Sequence, residues 1–291
     1  MADKQLNQLP EAFTVVSGDK LLIKDNSNID RQVEFSNLAQ SVSDILLGAL
    51  STTSADGDIE LIAHRGFADI GFENTTLSLS QAKKLGATSL EFDVAISSDG
   101  EFYLFHDTTL DALTNGTGNF IDATAATING LRYDKGVGTA YHPLRISKLD
   151  DALAVVKEQG VEAYIEMKSF RNDDTDVVAF MDKINSFGLI SKVIVQSSST
   201  TRLLAARAAY SDCRLALSVN SANHSQNVIN AQNATASIVI NSYTHFTTES
   251  DANTYKDAGL GIVVYTVERA HLFKSLAAIG IRRIMSDRRT F

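Results

Sequence analysis

Residues 161–166 read Val-Glu-Ala-Tyr-Ile-Glu, and residues 192–196 read Lys-Val-Ile-Val-Gln, with a helical stretch over 174–187 between them. Strands that are buried on both faces of a parallel sheet have short, continuous apolar segments of this kind. Parallel neighbours also need a crossover of a dozen or more residues, and that crossover is usually a helix. The stretch therefore predicts a β-α-β unit.

The same alternation repeats from residue 59 onward. Strands are predicted near 59–63, 89–94, 161–166, 192–196, 213–219, 236–240, 261–265 and 281–285. Helices are predicted at 75–86, 149–159, 174–187, 200–210, 224–233, 248–258 and 268–279. Asn74 is expected to cap the first helix and Gly86 to end it. Eight strands joined by helical crossovers predict an α/β fold, a (β/α)8 TIM barrel.

Two features depart from this regular pattern. An apolar run at 102–105 follows the second strand too closely for a parallel crossover, so residues 94–106 are predicted to form a β-hairpin that returns His106 to the barrel mouth. Residues 107–148 would then be a loop insertion above that mouth. The pattern also lacks an eighth helix, and we expect a helix at 36–50 or a neighbouring subunit to cover the last strand.

Residues 1–58 have a different pattern. Short strands at 14–16 and 20–23 flank Ser-Gly-Asp and predict a hairpin. The predicted helix at 36–50 has apolar residues at the spacing of a short coiled coil, although an ordinary amphipathic helix packed on its own domain explains them as well. Residues 51–58 have the composition of a linker. The predicted domains are therefore an N-terminal segment, 1–58, and a barrel, 59–291.

Composition excludes several classes of protein. The 291 residues include 26 Lys and Arg against 35 Asp and Glu, a net charge of −9, which argues against a nucleic-acid partner. Cys213 is the single cysteine, so an intramolecular disulfide is impossible. No apolar stretch approaches membrane-spanning length, and the N-terminus lacks the apolar core of a signal peptide. We expect synthesis without secretion or membrane insertion.

Charged side chains gather where several predicted strands end, which is where the site of such a barrel lies. They are His64, Arg65, Glu91, Asp93, His106, Asp107, Glu166 and Lys168. Carboxylate oxygens suit a hard cation such as Mg²⁺ or Ca²⁺, two histidines suit acid-base catalysis, and Arg and Lys suit phosphate binding. Each pair alone also has a structural explanation, such as a surface turn or a salt bridge. Their joint placement favours metal-assisted cleavage of a phosphodiester.

These motifs resemble the glycerophosphodiester phosphodiesterase family, over about residues 59–290. The matching stretches are His64-Arg65-Gly66, Glu73-Asn74-Thr75, Gly86-Ala87, Glu91-Phe92-Asp93-Val94, Asp99-Gly100, His106-Asp107, Thr114-Asn115-Gly116, Glu166-Met167-Lys168, Gln196-Ser197, Thr266-Val267 and Met285-Ser286-Asp287. The resemblance implies a barrel of the phospholipase-C-like phosphodiesterase type that hydrolyses glycerophosphodiesters with one divalent cation, Ca²⁺ or Mg²⁺.

The resemblance also implies roles for individual residues. The metal ligands would be Glu91, Asp93 and Glu166, the acid-base pair His64 and His106, and the phosphate clamp Arg65 and Lys168. Further candidates are Glu73, Asp107, Tyr265 and His245, of which Glu73 lies near the metal in the family pattern. A glycerol hydroxyl beside the ester is a hypothetical internal nucleophile, which would form a cyclic phosphate that water then opens.

Two positions depart from the family pattern. Phe72 stands where the family usually has proline, and Tyr265 stands where it usually has tryptophan. In the family this aromatic residue helps to wall the glycerol pocket. Tyr265 keeps a flat ring and adds a hydroxyl, so we expect a changed substrate shape with the same chemistry.

The N-terminal stretch, 16–38, is similar to the start of many bacteriophage tail-fibre and tailspike proteins. This resemblance implies an attachment and oligomerisation segment, phage tail proteins as partners, a homotrimer, and a location on the virion tail after synthesis in the host cytoplasm. The substrate would then be a surface polymer with glycerol-phosphate links, such as teichoic acid or capsule. The alternatives are a cytoplasmic glycerophosphodiesterase that acts on lipid head groups, and a tail protein that binds its receptor without cleaving it.

Overall fold

The computed structural model describes residues 59–69, 72–134 and 144–288 in full, together with the backbone of three strands nearer the N-terminus. The chain divides into two compact units, Met1–Asp58 and Ile59–Arg289. In the first unit, the strands β1 (Phe13–Val16), β2 (Lys20–Lys24) and β3 (Asp30–Glu34) form an antiparallel sheet. The predicted hairpin is confirmed by the pairing of β1 with β2, whereas β3 was not expected.

The helix predicted at 36–50 and the linker at 51–58 lie outside the described residues. The same holds for the coiled-coil spacing and for any cover that this helix would give the last strand. Among the described residues that follow the last strand of the second unit, none is helical. No helix in the described parts of the chain is long and apolar enough to cross a membrane.

The second unit contains a closed barrel. Its strands, with the hairpin strand β6, are β4 (Glu60–Ala63), β5 (Ser89–Ile96), β6 (Phe102–Leu104), β7 (Glu162–Met167), β8 (Val193–Ser197), β9 (Arg214–Ser218), β10 (Ile238–Ser242), β11 (Gly261–Tyr265) and β12 (Arg283–Ser286). All except β6 pair in parallel in chain order, and β12 pairs with β4 to close the ring. The predicted TIM barrel is therefore confirmed.

Helices occupy the crossovers, as the alternation predicts. They are α1 (Thr76–Ala82), α2 (Ala125–Gly130), α3 (Leu149–Gln159), α4 (Thr175–Ser186), α5 (Thr200–Ala209), α6 (His224–Asn233), α7 (Glu249–Asp257) and α8 (Ala270–Ala278). Their apolar faces and the outward-facing side chains of the strands form one large core, which includes Val156, Phe180, Ile165 and Val195. This core anchors the strands whose ends carry the charged residues.

The inward-facing side chains fill the barrel in layers. Tyr164, Ile194, Ile240 and Val263 belong to one buried interior cluster. Strands alternate inward and outward residues, so the next inward positions toward the C-terminal ends of the strands carry the polar residues of the mouth. The interior is thus a packed plug, and chemistry is confined to its upper rim.

The start of α1 differs from the sequence prediction. Thr75 caps this helix, because its side chain accepts a hydrogen bond from the Ser78 N–H in a reciprocal capping box. Asn74 has a left-handed backbone, with φ of 55°, and its side chain is used elsewhere. Gly86 ends this segment in the left-handed region, with φ of 99°, as predicted.

The predicted hairpin is confirmed, and the insertion is more ordered than a loop. β6 pairs antiparallel with the end of β5, with Val94 opposite Leu104. The insertion contains α2 and two short 3-10 turns, and it has an apolar cluster of its own. Within that cluster, the rings of Phe105 and Phe120 stack with their centroids 4.7 Å apart. Residues 135–143 lie outside the described residues.

Phe180 offers a test of the packing between the helices and the barrel. It is fully buried on α4, with its ring 5.8 Å from Phe102 and 5.5 Å from Phe170. We expect Phe180→Ala to lower the free energy of unfolding in urea by about 3–5 kcal/mol, since it leaves a cavity. Val178→Ala on the same helix, where the side chain is 41% exposed, is the control and should change it by less than about 0.5 kcal/mol. A loss below about 1 kcal/mol for Phe180→Ala would contradict the described packing.

Candidate active site

Three carboxylates converge at the mouth of the barrel. Glu91 and Asp93 project inward from β5, and Asp93 lies opposite Glu166 of β7 in the register of the parallel pair. One oxygen from each of the three lies within 4.8 Å of the others. Glu91 and Asp93 are each only 1% exposed. An all-oxygen set of this kind can hold one divalent cation, while the choice between Ca²⁺ and Mg²⁺ stays a prediction.

This crowding of negative charge separates the pKa values of the two buried acids. Burial, followed by the charge of Asp93, raises the pKa of Glu91 to about 8. Burial also acts to raise the pKa of Asp93, but Arg65 and Lys168 outweigh it and hold that pKa below its ordinary value. The nearby cations therefore compensate Asp93 more fully than Glu91. A bound divalent cation would supply the missing positive charge.

His64 is oriented by a residue from the opposite end of the barrel sequence. Its Nδ1 lies 2.6 Å from Oδ1 of Asp287, just past β12, and its Nε2 lies 3.9 Å from Oε2 of Glu91. Burial lowers the pKa of His64, but the charges of Glu91 and Asp287 outweigh it and raise that pKa above its ordinary value. The ring therefore presents Nε2 to the carboxylate cluster.

His106 has a matching arrangement on the hairpin. Its Nδ1 lies 2.9 Å from Oδ1 of Asp107, so this predicted residue contacts the imidazole. The hairpin is held to the barrel because the Phe105 N–H donates to the Asp93 carbonyl at 3.1 Å. His106 is close enough to Asp93 for its charge to help lower the pKa of that acid. The structure thus brings both predicted histidines to the same cluster.

Arg65 extends along the cluster from a strained turn. Its backbone has φ of 52°, and its N–H donates to Glu91 at 2.8 Å. Its Nη1 donates to Glu73 at 2.7 Å, and its Nε lies 3.3 Å from Asp93. Gly66 follows with φ of 80°, and a Cβ there would lie 2.5 Å from the Ser78 hydroxyl. Only glycine fits this close approach, which explains the His-Arg-Gly order.

Lys168 lies on the other side of the cluster. Its Nζ is 3.0 Å from Glu166 and 3.6 Å from Asp93. Burial acts to lower its pKa, but these two carboxylates raise the pKa above its ordinary value, so Lys168 stays charged. Lys168 and Arg65 therefore both face Asp93, and a phosphate bound at the cluster would meet a cation from each.

The remaining candidates lie at different distances from this cluster. Glu73 binds Arg65 and is outside the set of three oxygens that can share a cation. The Tyr265 hydroxyl, at the end of β11, donates to the Val219 carbonyl at 3.0 Å. His245 lies in the turn after β10, where its Nε2 is 2.9 Å from Asn220. Its predicted place along the mouth remains a prediction.

Three residues at the site received no site role from the sequence. Asn74 donates to Asp93 at 2.9 Å and accepts from the Asp93 backbone N–H at 2.9 Å. Asp287 contacts His64, and Gln196 donates to Glu166 at 2.7 Å. All three stand in motif stretches already singled out for their resemblance to the family. That position was the available signal, although the stretches did not reveal which atoms they bind.

Comparison with known proteins agrees with this geometry. The model of the glycerophosphoryl diester phosphodiesterase family matches residues 64–290, so the chain belongs to this family. It is 37% identical over 114 residues to human glycerophosphodiester phosphodiesterase 1, across 39% of this chain and 33% of the human protein. It is also 31% identical over 157 residues to a Bacillus subtilis glycerophosphodiester phosphodiesterase, across 49% of this chain and 53% of that protein. The chain therefore spans only a third to a half of the length of these relatives.

Solved structures share the fold. A phosphodiesterase from Oleispira antarctica, in complex with the product sn-glycerol-3-phosphate, superposes with a TM-score of 0.68 at 22% identity, covering 78% of this chain and 92% of that one. A glycerophosphodiester phosphodiesterase from Agrobacterium tumefaciens gives 0.69 at 23% identity, covering 79% and 97%. At this level of identity the likeness shows the barrel fold.

Cation binding by the three carboxylates can be measured directly. A divalent cation at about a hundredfold its dissociation constant should raise the free energy of unfolding by about 2.7 kcal/mol, seen as a thermal shift. Glu91→Gln or Glu166→Gln should abolish most of that shift. Binding must displace the proton that Glu91 holds below its pKa of about 8, so affinity should rise with pH up to that value.

Glu162 provides the matched control for this measurement. It lies at the start of β7, the strand that carries Glu166 at its other end, and it pairs with Arg214. Glu162→Gln should leave the cation-dependent part of the shift unchanged. An equal shift in the wild type, Glu91→Gln and Glu166→Gln would show that the cation binds elsewhere.

Proposed function

We propose that the protein hydrolyses a phosphodiester of glycerol by general acid-base catalysis, with a divalent cation held by Glu91, Asp93 and Glu166. The observation that supports this most directly is the pair of imidazoles at one carboxylate cluster, each with Nδ1 against its own carboxylate. Family membership and the glycerol phosphate bound by the relative from Oleispira antarctica support the same substrate class.

The two histidines are prepared for opposite proton transfers. A carboxylate can only accept, so Asp287 and Asp107 favour the hydrogen on Nδ1 of His64 and His106. In a neutral ring Nε2 is then a proton acceptor, and in a charged ring it is a proton donor. The raised pKa of His64 favours its charged form and hence the role of acid, which leaves His106 as the base.

The cations of the site would bind the phosphate. Arg65 and Lys168 both contact Asp93, and nonbridging phosphate oxygens would take over part of these contacts. Glu73 accepts a hydrogen bond from Nη1 of Arg65 and so would hold the guanidinium in place while Nε exchanges Asp93 for a phosphate oxygen. When bound, the divalent cation would neutralise the charge that builds up on the phosphoryl oxygens.

The proposed reaction begins with an internal attack. The glycerol hydroxyl beside the ester attacks phosphorus, His106 takes the hydroxyl proton, and His64 gives a proton to the departing alkoxide. The products are an alcohol and a cyclic phosphate. Water then attacks the cyclic phosphate with the two roles reversed, so that each histidine returns to its starting state.

Removal of either histidine tests this mechanism. We expect His64→Ala and His106→Ala to lower kcat for glycerophosphocholine by about 10²–10⁴-fold, because each removes one proton transfer. Turnover and any cyclic phosphate would be followed by phosphorus NMR, with and without chelator. His271→Ala is the control, since His271 is exposed on α8, and it should retain activity. Equal turnover of a substrate without the adjacent hydroxyl would contradict the cyclic route.

Two finer proposals differ in the natural substrate of the enzyme. In the first, residues 1–58 attach the enzyme to a phage tail as a trimer, and it depolymerises teichoic acid or a glycerol-phosphate capsule. The similarity of residues 16–38 to tail-fibre proteins supports this reading. In the second, a cytoplasmic enzyme cleaves deacylated phospholipid head groups, and the chemistry of the site suits this substrate equally well.

These proposals predict different behaviour of the purified full chain. The phage-tail reading predicts a trimer at micromolar concentration by light scattering, and faster release of phosphomonoester from polyglycerol phosphate than from glycerophosphocholine. A monomer that prefers glycerophosphocholine would contradict it and support the head-group enzyme. A third outcome, adhesion to polymer that persists in His64→Ala with no turnover in the wild type, would indicate a receptor-binding protein without catalysis.

A further inference from the structure

Two neutral polar atoms inside the barrel mouth have no hydrogen-bond partner among the described residues, whereas the Arg65 Nε, which also has none, lies 3.3 Å from Asp93. The two neutral atoms are Oε1 of Gln196, on β8, and the hydroxyl of Ser218, on β9, and both atoms are buried. Gln196 as a whole is only 4% exposed. Buried polar atoms are nearly always paired, so an unpaired acceptor and an unpaired hydroxyl in the same region indicate a place where a ligand completes the bonding.

The orientation of the Gln196 amide is fixed by the acidic cluster. Its Nε2 donates to Oε2 of Glu166 at 2.7 Å, which is a bond that the carbonyl oxygen of the amide could not make. Oε1 therefore points away from Glu166 and needs a donor. Glu166 is one of the three acids proposed to hold the cation, so this acceptor borders the reacting phosphate.

Ser218 lies beside Gln196 on the same interior face. Gln196 is opposite Ala216 in the parallel register, and Ser218 is two residues further along β9, about 7 Å closer to the mouth. Tyr265 lies close to this pair, because its hydroxyl donates to the carbonyl of Val219, the residue after Ser218, at 3.0 Å. Burial and then the charge of Glu166 raise the pKa of Tyr265, which agrees with its ring facing the same space.

The chemistry of this space differs from that of the phosphate clamp. The two free groups are an amide carbonyl and an alcohol, both neutral, and the phenol ring adds a flat wall. Such a set recognises a neutral group that both donates and accepts hydrogen bonds, whereas an anion would find one donor only, the Ser218 hydroxyl. An alcohol of a small polyol has this property.

We propose that Gln196 and Ser218 bind the free hydroxyls of the glycerol unit of the substrate, and so select diesters that carry a diol next to the phosphate. A hydroxyl would donate to Oε1 of Gln196 and exchange a hydrogen bond with Ser218, with the carbon chain against Tyr265. This inference rests on the proposed function for the identity of the phosphate ester. It assigns specificity to two residues that carry no proton in the reaction.

Binding of two phosphate monoesters to the cation-loaded full chain tests this assignment. The probes are sn-glycerol 3-phosphate and propyl phosphate, which differ in the hydroxyls alone, and titration calorimetry gives both affinities. We expect the wild type to prefer glycerol phosphate by tenfold or more, and Ser218→Ala to lose about tenfold of this preference with its affinity for propyl phosphate unchanged. Gln196→Met should lose a similar preference and also weaken cation binding, because it removes the contact with Glu166.

Ser242→Ala is the matched control. Ser242 ends the next strand, β10, but its hydroxyl already has a partner in Thr244 at 2.8 Å. It should keep the wild-type preference. The proposal is overturned if the wild type has no preference, if Ser218→Ala and Gln196→Met both retain it, or if Ser242→Ala loses it to the same degree. Because neither probe has to be cleaved, absent diester turnover with an intact preference would refute the proposed function alone.

Discussion

The parallel pairing of β12 with β4 closes the barrel, and the geometry of the site depends on it. Ile284 lies opposite Leu61 and Ser286 opposite Ala63, so the residues that follow, Asp287 and His64, meet at the rim. They are separated by 223 positions in the sequence. Without this closure the imidazole would lack its orienting carboxylate, and β4 would expose an unpaired edge. The same pairing therefore serves the stability of the fold and the orientation of the His64 ring.

Charge balance is the second constraint on the mouth. Three carboxylates meet in a space almost without solvent, where unpaired charge is costly. Arg65 and Lys168 both approach Asp93, while Glu91 receives the Arg65 backbone N–H and the ring of His64. The unequal compensation leaves the pKa of Glu91 high and that of Asp93 low. An arrangement of this kind is locally destabilising, and a divalent cation bound to the three carboxylates would relieve the repulsion between them.

The sequence predicts the barrel well, because buried parallel strands and amphipathic helices produce local patterns that can be counted. The predicted strand ends also brought His64, Asp93 and Glu166 together, since the ends of parallel strands meet at one rim. What escaped prediction depends on contacts between distant residues. Asparagine is a common helix-capping residue, so the sequence favoured that role for Asn74. Only the folded chain shows that its amide binds Asp93 and that Thr75 caps the helix. The roles of Asp287 and Gln196 depend in the same way on which strands become neighbours.

The insertion after β5 bears on how members of this family diversify. Its aromatic cluster, which includes Phe105, Phe120 and Tyr133, is separate from the large core between strands and helices. A segment that packs mainly on itself can be exchanged as a cassette, with little disturbance to the side chains that hold the barrel. Natural variation and library design can therefore reshape the approach to the mouth by exchanging the part of this segment that follows Asp107, while His106 and Asp107 are kept.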